Sequence, residues 1–211
     1  MPEKGVHMAL LHVLGLTLPI LVPGLALIAT LRRGGFARLR RPIDGGATWR
    51  RRPVLGENKT WYGLMVYPVG GALTAGLLSL GGAAVHPVLH GSKAALVGAT
   101  AGAAYACGEL INSFVKRRFG IAAGRMVAGR WTRIQRAADL ADGVIAASLV
   151  YLAWGVSPAP AAGVLAAGIA IHVSTDALMR RLRLKRHDRR GRGDGDRDVI
   201  GSPRTHALDQ G

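Results

Sequence analysis

Cysteine is almost absent from this sequence of 211 residues, since Cys107 is the only one. A single cysteine excludes an intrachain disulfide and a metal site built from several thiolates. Acidic side chains are also few, because 12 aspartates and glutamates stand against 28 lysines and arginines and leave a formal net charge of +16. Amphipathic segments are also scarce. Too few of them remain to wrap a water-soluble core, so a soluble globular fold is excluded.

Long apolar runs take the place of amphipathic sequence. A helix of about 20 apolar residues crosses a bilayer core of about 30 Å. Glycine and alanine are abundant in these runs, which suits helices that pack closely in lipid through small residues. We therefore predict an all-α integral membrane protein with about five transmembrane helices. The five runs are Met8 to Leu31, Tyr62 to Val85, Ala94 to Val115, Leu140 to Val156 and Ala159 to Met179.

Positive charge is distributed unevenly among the segments between the runs. The first and third connections are rich in Lys and Arg, whereas the second, HPVLHGS, and the fourth, SPAP, carry none before Lys93. Basic loops of membrane proteins face the cytoplasm. We predict a multi-pass protein of the cell membrane with its N-terminus outside and its C-terminus in the cytoplasm. The same bias accounts for most of the net charge, so nucleic acid is not expected as a partner.

The two ends of the chain carry separate expectations. The first apolar run is too long for the core of a secretory signal, which spans about 7 to 15 residues, so we expect a retained helix. Residues 1–186 are expected to form the membrane domain. Residues 187–211 are rich in charge and glycine, and we predict a basic, disordered cytoplasmic tail. The oligomeric state is left open, a homo-oligomer included.

A glutamate lies near the end of the third apolar run, in the stretch CGELINSFVKRR. An ionisable group at the membrane edge usually faces a protein interior or a water-filled cavity, and is a candidate for function. Residues at positions i, i+3, i+4 and i+7 share one face of a helix. Here they are Glu109, Asn112, Ser113 and Lys116.

Two aspartates stand three residues apart at the start of the fourth run, in RAADLADGV. Acids at a helix N-terminus complement the helix dipole and cap free N–H groups, which accounts for Asp139 better than for Asp142. A cytoplasmic loop joins the third and fourth runs, so Glu109 and this pair are expected to converge at one membrane depth. Three neighbouring carboxylates need cations, and ligands that are all oxygen suit Mg²⁺.

The first basic loop contains the stretch PIDGGATWRRRPVLGENKTWYGL, residues 42–64. Its glycine pairs permit close approach of the backbone to a ligand. Lys59 supplies a cation, and Asn58 and Thr60 supply neutral donors, so this element is a candidate phosphate cradle. The same three residues form a glycosylation sequon, but glycosylation would require the loop to lie outside, against its charge.

Taken in order, PIDGG...LGENKTWYGL, GELINSFVKRRFGI and DLAD resemble the signature segments of the CDP-archaeol synthase family, relatives of phosphatidate cytidylyltransferases. The matching segments span about residues 42–145. The resemblance implies a membrane enzyme that transfers a cytidylyl group from CTP to a lipid phosphate of the bilayer. It further implies release of pyrophosphate and a requirement for Mg²⁺.

The resemblance also implies roles for particular residues. Lys116, Asp139 and Asp142 would be catalytic, and the metal ligands would be Glu109, Asp139 and Asp142. Glu109 departs from the aspartate that the family usually carries, which displaces a bound metal by about one methylene. The substrate-binding residues would be Asp44, Asn58, Lys59, Thr60, Ser113, Arg117 and Arg118. His172 and Asp176, one turn apart on the fifth run, are further candidates for the site.

Two other function classes are weighed against this one. A CDP-alcohol phosphotransferase carries Asp-Gly-x-x-Ala-Arg and later acids, whereas Asp142-Gly143 is followed by Val-Ile-Ala-Ala. A transporter or lipid-binding protein would place polar groups near the bilayer midplane, often in repeats. The acids here lie on one side and no internal repeat is found. The acceptor stays open among a phosphatidate, an ether-linked isoprenoid phosphate and other lipid phosphates.

Reporter fusions test the predicted topology. A reporter fused after Leu89 is expected outside and one fused after Arg130 in the cytoplasm, because the second connection lacks the cations that the third carries. The activity of a compartment-specific reporter shows on which side of the membrane each fusion point lies. The same side for both fusions would contradict the topology.

Overall fold

The computed structural model describes residues 2–33, 36–81, 86–127 and 129–181, and within these ranges the side chains of residues 4–174. Contacts divide the chain into a first unit, Met1–Ser174, and a second unit, Thr175–Gly211. Only the backbone at the start of the second unit is described. The predicted tail at 187–211 and the side chain of Asp176 therefore lie outside the described residues.

Five long helices form within the described ranges, as the apolar runs predict. They are α1 (Pro2–Arg32), α2 (Trp61–Ser79), α3 (Ala94–Arg118), α4 (Trp131–Ala153) and α5 (Pro158–Arg181). Three segments are long and apolar enough to cross a membrane, namely Lys4–Arg32, Trp61–Ser79 and Gly91–Arg118. Pro158–Ser174 is a shorter apolar helix. Charged side chains interrupt the apolar sequence in the first half of α4.

Short elements occupy the connections. The 3-10 helices are Ala37–Arg40, Pro87–Leu89 and Gly91–Lys93. Strands β1 (Thr48–Trp49) and β2 (Arg52–Pro53) pair antiparallel within the first basic loop. The two residues between the strands, Arg50 and Arg51, both have positive φ, at 52° and 61°. This matches the tight hairpin turns whose two central residues are left-handed.

Several helix boundaries differ from the predicted ones, and those at the end of α2 and the start of α4 have a local cause. Helix α2 ends at Ser79 and not at Val85, because the N–H groups of Leu80 and Gly81 bond back to Leu77 O and Leu78 O and tighten the last turn. Helix α4 begins at Trp131, well before the predicted Leu140, since its first turns include two arginines, a glutamine and two alanines, which favour helix.

The early start of α4 corrects the interpretation of its aspartates. Asp139 and Asp142 lie more than two turns inside the helix. Free N–H groups occur only in the first turn, so neither aspartate caps the helix. Helix capping, which the sequence favours for Asp139, therefore applies to neither carboxylate.

Helix α3 contacts α1, α2 and α4. Its glycines bring backbones together: a Cβ atom on Gly98 would lie 2.1 Å from Gly71 O, and one on Gly102 would lie 2.2 Å from Tyr67 O. A Cβ atom on Gly108 would lie 2.5 Å from Asp142 O of α4. Small residues therefore determine how closely α2 and α4 approach α3, as is usual for helices in lipid.

Substitution of Gly98 tests this packing. Gly98→Ala is expected to destabilise the protein by about 1 to 3 kcal/mol, because the new methyl group must push α2 and α3 apart. Gly76→Ala is the control, since its Cβ atom would meet only Ala95 Cβ at 3.9 Å. Thermal unfolding of the detergent-solubilised variants measures the difference. Equal melting temperatures for both variants would show that the α2–α3 contact does not limit stability.

Candidate active site

Lys59 is held in place just before α2. Residues on either side of the first basic loop pair here: Pro42 forms a bridge with Thr60, and Ile43 N donates to Lys59 O at 2.9 Å. Thr60 is the N-cap of α2, and its Oγ1 accepts a hydrogen bond from Gly63 N at 3.3 Å. The backbone therefore fixes the point from which the Lys59 side chain extends.

Lys59 and Glu109 form an ion pair. Lys59 Nζ lies 2.6 Å from Glu109 Oε2, and the two side chains are only 19% and 31% exposed. The sequence places them 50 positions apart, one before α2 and one in α3. This contact explains the glutamate near the end of an apolar helix: its charge is balanced by a lysine from the loop.

Asn112 joins the two aspartates of α4. Its Nδ2 atom donates to Asp139 Oδ1 and to Asp142 Oδ2, both at 2.7 Å. Asp139 Oδ1 also receives a hydrogen bond from Lys116 Nζ at 2.7 Å. Asn112 is not among the predicted site residues. Its position on the same helix face as Glu109 and Lys116 is the sequence feature that indicates it.

The two groups of side chains belong to one site. Glu109, which pairs with Lys59, and Asn112, which bonds both aspartates, lie one turn apart on the same face of α3. The close approach of Gly108 to Asp142 O brings α4 near enough for the α3 side chains to reach it. We call the six residues together the polar cluster. Its members are Lys59, Glu109, Asn112, Lys116, Asp139 and Asp142.

The predicted three-carboxylate metal site is not assembled in this form. Within the described ranges, no group of three His, Cys, Asp or Glu side chains is arranged to hold a metal ion. Glu109 pairs with Lys59 instead. Asp139 and Asp142 each place an oxygen 2.7 Å from one nitrogen, so these two oxygens lie close together. Two neighbouring carboxylates supply oxygen ligands of the kind that suits Mg²⁺.

Arg118 attaches the first basic loop to the end of α3. Its guanidinium lies 5.0 Å from the ring centroids of both Trp49 and Phe114. It donates to Trp49 O at 2.7 Å and also to the carbonyl oxygens of Arg52 and Pro53. The loop therefore folds over the helix end through one side chain that makes cation–π and hydrogen-bonding contacts together.

Arg117 also binds backbone carbonyl oxygens. Its side chain is only 3% exposed, and its guanidinium donates to Leu55 O at 3.0 Å and to Ile121 O. We predicted phosphate contacts for Arg117 and Arg118, but both guanidiniums bind backbone carbonyls here. The cations of the polar cluster that face its carboxylates are Lys59 and Lys116.

Asp44 organises the same loop. Its Oδ1 accepts from Gly46 N at 3.1 Å, and its Oδ2 accepts from Leu55 N at 2.8 Å and Gly56 N at 3.1 Å. Burial acts to raise the pKa of Asp44, but the backbone hydrogen bonds outweigh it and hold the pKa below its ordinary value. These contacts give Asp44, predicted to bind substrate, a role in loop structure.

Two cavities flank the polar cluster. The α1–α2–α3 cavity has a volume of about 390 Å³ and the α3–α4 cavity about 410 Å³. Asn58, Lys59, Thr60 and Glu109 line the first, and Asn112 and Lys116 line the second. Leucines, valines and aromatic side chains make up much of the remaining walls. Both cavities therefore combine a charged end with apolar surface.

The remaining predicted residues lie apart from the cluster's contacts. Ser113 is buried, at 3% exposure, and its predicted contact with substrate stays a prediction. His172 Nε2 lies 2.9 Å from Tyr105 Oη, so a hydrogen bond links α5 to α3 at this point. A structural role therefore accounts for His172.

No protein-family model matches the chain. The CDP-archaeol synthase of Hyperthermus butylicus is 34% identical over 166 residues, which cover 76% of this chain and 91% of that protein. This chain belongs to the CDP-archaeol synthase family. The CDP-archaeol synthase of Halobacterium salinarum is 40% identical over 107 residues, 49% of this chain and 55% of that protein.

A solved structure gives the same answer for the fold. It is described as giving structural insight into an intramembrane enzyme for archaeal membrane lipids biosynthesis. Its TM-score to this chain is 0.57 at 27% identity, covering 77% of this chain and 91% of that one. The predicted all-α multi-pass membrane fold is confirmed, and so is the resemblance of the signature segments to the CDP-archaeol synthase family.

Substitution of Asp44 tests the loop assignment. Asp44→Asn leaves one acceptor oxygen where two oxygens serve three N–H groups, so the loop is expected to open and expose the Arg50–Arg51 bond to trypsin. Glu57→Gln, at an exposed position of the same loop, is the control. Limited proteolysis of purified protein measures the cleavage rate. Equal cleavage rates in the two variants would show that Asp44 does not organise the loop.

Proposed function

We propose that this chain transfers a cytidylyl group from CTP to a lipid phosphate and makes a CDP-activated lipid with release of pyrophosphate. The observation that carries the proposal is the polar cluster itself. Two lysines and three carboxylates meet at one end of apolar helices, in a chain whose relative at 34% identity is a CDP-archaeol synthase. Such a site suits two anionic substrates, one of them from the bilayer.

The reaction balances without a redox partner. An oxygen of the lipid phosphate attacks the α-phosphorus of CTP and forms a new P–O bond. The bond from that phosphorus to the oxygen that bridges it to the β-phosphate breaks, and pyrophosphate leaves with the electron pair. The attacking phosphate is already an anion, so no proton has to be removed to activate it. Catalysis then depends on aligning two anions and neutralising their charge.

Lys59 and Lys116 are the cations proposed to neutralise this charge. Each is held by a single carboxylate, at 2.6 Å and 2.7 Å, and each is about one-fifth exposed. A phosphate oxygen can compete for the ammonium group in such a pair, since an ammonium has three donors. Asn58 and Thr60 line the cavity beside Lys59 and are proposed to donate to the same phosphate.

Asp139 and Asp142 are the groups proposed to hold Mg²⁺, and the amide N–H groups of Asn112 position them. When bound there, Mg²⁺ neutralises phosphate charge and aligns the reacting groups. Glu109 is proposed to position Lys59 through their ion pair and not to be a metal ligand. Lys116 limits the repulsion between the carboxylates of Asp139 and Asp142 through its ion pair with Asp139.

The site is proposed to face the cytoplasm. The basic loop before α2 and the basic C-terminal end of α3 meet at this end of the molecule, as the contacts of Arg118 show. Basic segments mark the cytoplasmic side. CTP would reach the cluster from the cytosol and the lipid phosphate from the bilayer. We propose an ether-linked isoprenoid glycerol phosphate as the acceptor, with phosphatidate as the comparison substrate.

Asparagine substitution tests the proposed metal ligands. Asp139→Asn and Asp142→Asn keep the size of the side chain but remove its charge, so cytidylyl transfer is expected to fall by roughly 100-fold or more. Raised Mg²⁺ is expected to restore part of it, because fewer anionic oxygens bind the metal more weakly. Pyrophosphate release that depends on CTP and lipid phosphate, measured across a Mg²⁺ titration, checks both variants.

Glu57→Gln serves as the matched control, since it removes a carboxylate from an exposed loop position. It is expected to leave turnover unchanged, and all variants are expected to accumulate normally in the membrane. Full activity in Asp142→Asn at ordinary Mg²⁺ would defeat the metal-ligand assignment.

A further inference from the structure

Arg40 occupies an unusual position between α1 and the first basic loop. It ends the 3-10 helix Ala37–Arg40, in which the other three residues are exposed, whereas Arg40 is half-buried. Its Nη2 atom donates to Leu31 O in the last turn of α1 at 2.7 Å. That bond fixes the position of the guanidinium and satisfies one free carbonyl of the helix end.

The Nε atom of Arg40 is buried and has no hydrogen-bond partner among the described residues. A buried donor without an acceptor costs free energy, and the cost is greater on a charged group. A guanidinium has five donors in a fixed fork and no acceptor, so what it lacks is an acceptor oxygen. Arg118 Nε is buried without a partner in the same way, so an unpaired Nε does not by itself mark an anion site, and it is the cavity lined by Arg40 that points to an anion.

The cavity beside Arg40 shows which kind of anion fits. Arg40 lines the α1–α2–α3 cavity together with Lys59 and Glu109. Glu109 neutralises Lys59, and none of the ion pairs among the described residues involves Arg40. The charged side chains that line the cavity thus leave one positive charge uncompensated. Its other walls include the apolar side chains of Leu27, Leu31, Leu64 and Leu110.

We propose that Arg40 binds the phosphate of the acceptor lipid, with the leucines of this cavity against the adjoining hydrocarbon. The inference rests on the proposed cytidylyl transfer and assigns its lipid site to the α1–α2–α3 cavity. Glu109 of the same cavity lies one turn of α3 from Asn112, the hydrogen-bond partner of both aspartates, on the same helix face. Arginine suits the task because its donors match phosphate oxygens.

Steady-state kinetics separates the lipid phosphate from the nucleotide. Arg40→Gln is expected to raise the KM for an ether-linked isoprenoid glycerol phosphate roughly ten-fold or more, as for loss of a charge-assisted hydrogen bond. The KM for CTP and the kcat at saturating lipid should change little. Arg40→Lys should recover part of the loss. Arg38→Gln is the control, because Arg38 lies in the same turn and is exposed.

Thermal stabilisation gives a second readout that does not require turnover. The detergent-solubilised protein is heated with the diether phosphate, with the matched diether alcohol, or with inorganic phosphate. Only the diether phosphate is expected to raise the melting temperature strongly, and Arg40→Gln is expected to abolish that rise. Stabilisation by inorganic phosphate alone, to the same extent, would show a free-phosphate site and overturn the lipid assignment.

The remaining outcomes also decide the matter. A higher KM for CTP with an unchanged KM for lipid would place Arg40 at the nucleotide and overturn the proposal. A lower melting temperature without ligand, combined with undiminished stabilisation by the diether phosphate, would leave Arg40 as an anchor of α1 only. The wild type could be stabilised by the diether phosphate and yet make no CDP-lipid. If Arg40→Gln then abolishes the stabilisation, the proposed cytidylyl transfer is wrong but the proposed lipid phosphate site is supported.

Discussion

Backbone contact along α3 is the constraint on which the site depends. Where Gly98 and Gly102 meet α2, and where Gly108 meets Asp142 O, a single methyl group would separate the helices. The polar side chains of α3 are of ordinary length, and an amide such as that of Asn112 reaches two carboxylates only if α4 lies close. Small residues packed in the apolar part of the protein thus fix distances in its charged part.

Charge balance is the second requirement of such a site. Carboxylates at a membrane edge are costly unless cations or donors stand beside them. Glu109 has Lys59, Asp139 has Lys116, and Asn112 serves both aspartates. The arrangement keeps the carboxylates ordered without burying the lysines fully. Groups that are paired but partly exposed remain able to exchange partners, which is what binding of anionic substrates requires.

Arginines near the site differ in what they do, although the sequence makes them look alike. Arg117 and Arg118 place their guanidiniums on backbone carbonyls and hold the first basic loop against α3. Arg40 donates to the end of α1 and lines the α1–α2–α3 cavity, where the charges of Lys59 and Glu109 cancel and that of Arg40 does not. The distinction lies in which groups from distant parts of the chain surround each guanidinium.

The apolar runs by themselves determined the all-α membrane fold, because a membrane helix satisfies its own backbone and needs only length and hydrophobicity. Helix periodicity likewise put Glu109 and Lys116 on one face, and the order of the signature segments indicated the family. Only the tertiary structure decided the partners. That Lys59 pairs with Glu109 across 50 positions, and that Asp139 lies inside α4, follow from helix packing. Local sequence does not encode such distances, because they depend on which helices touch.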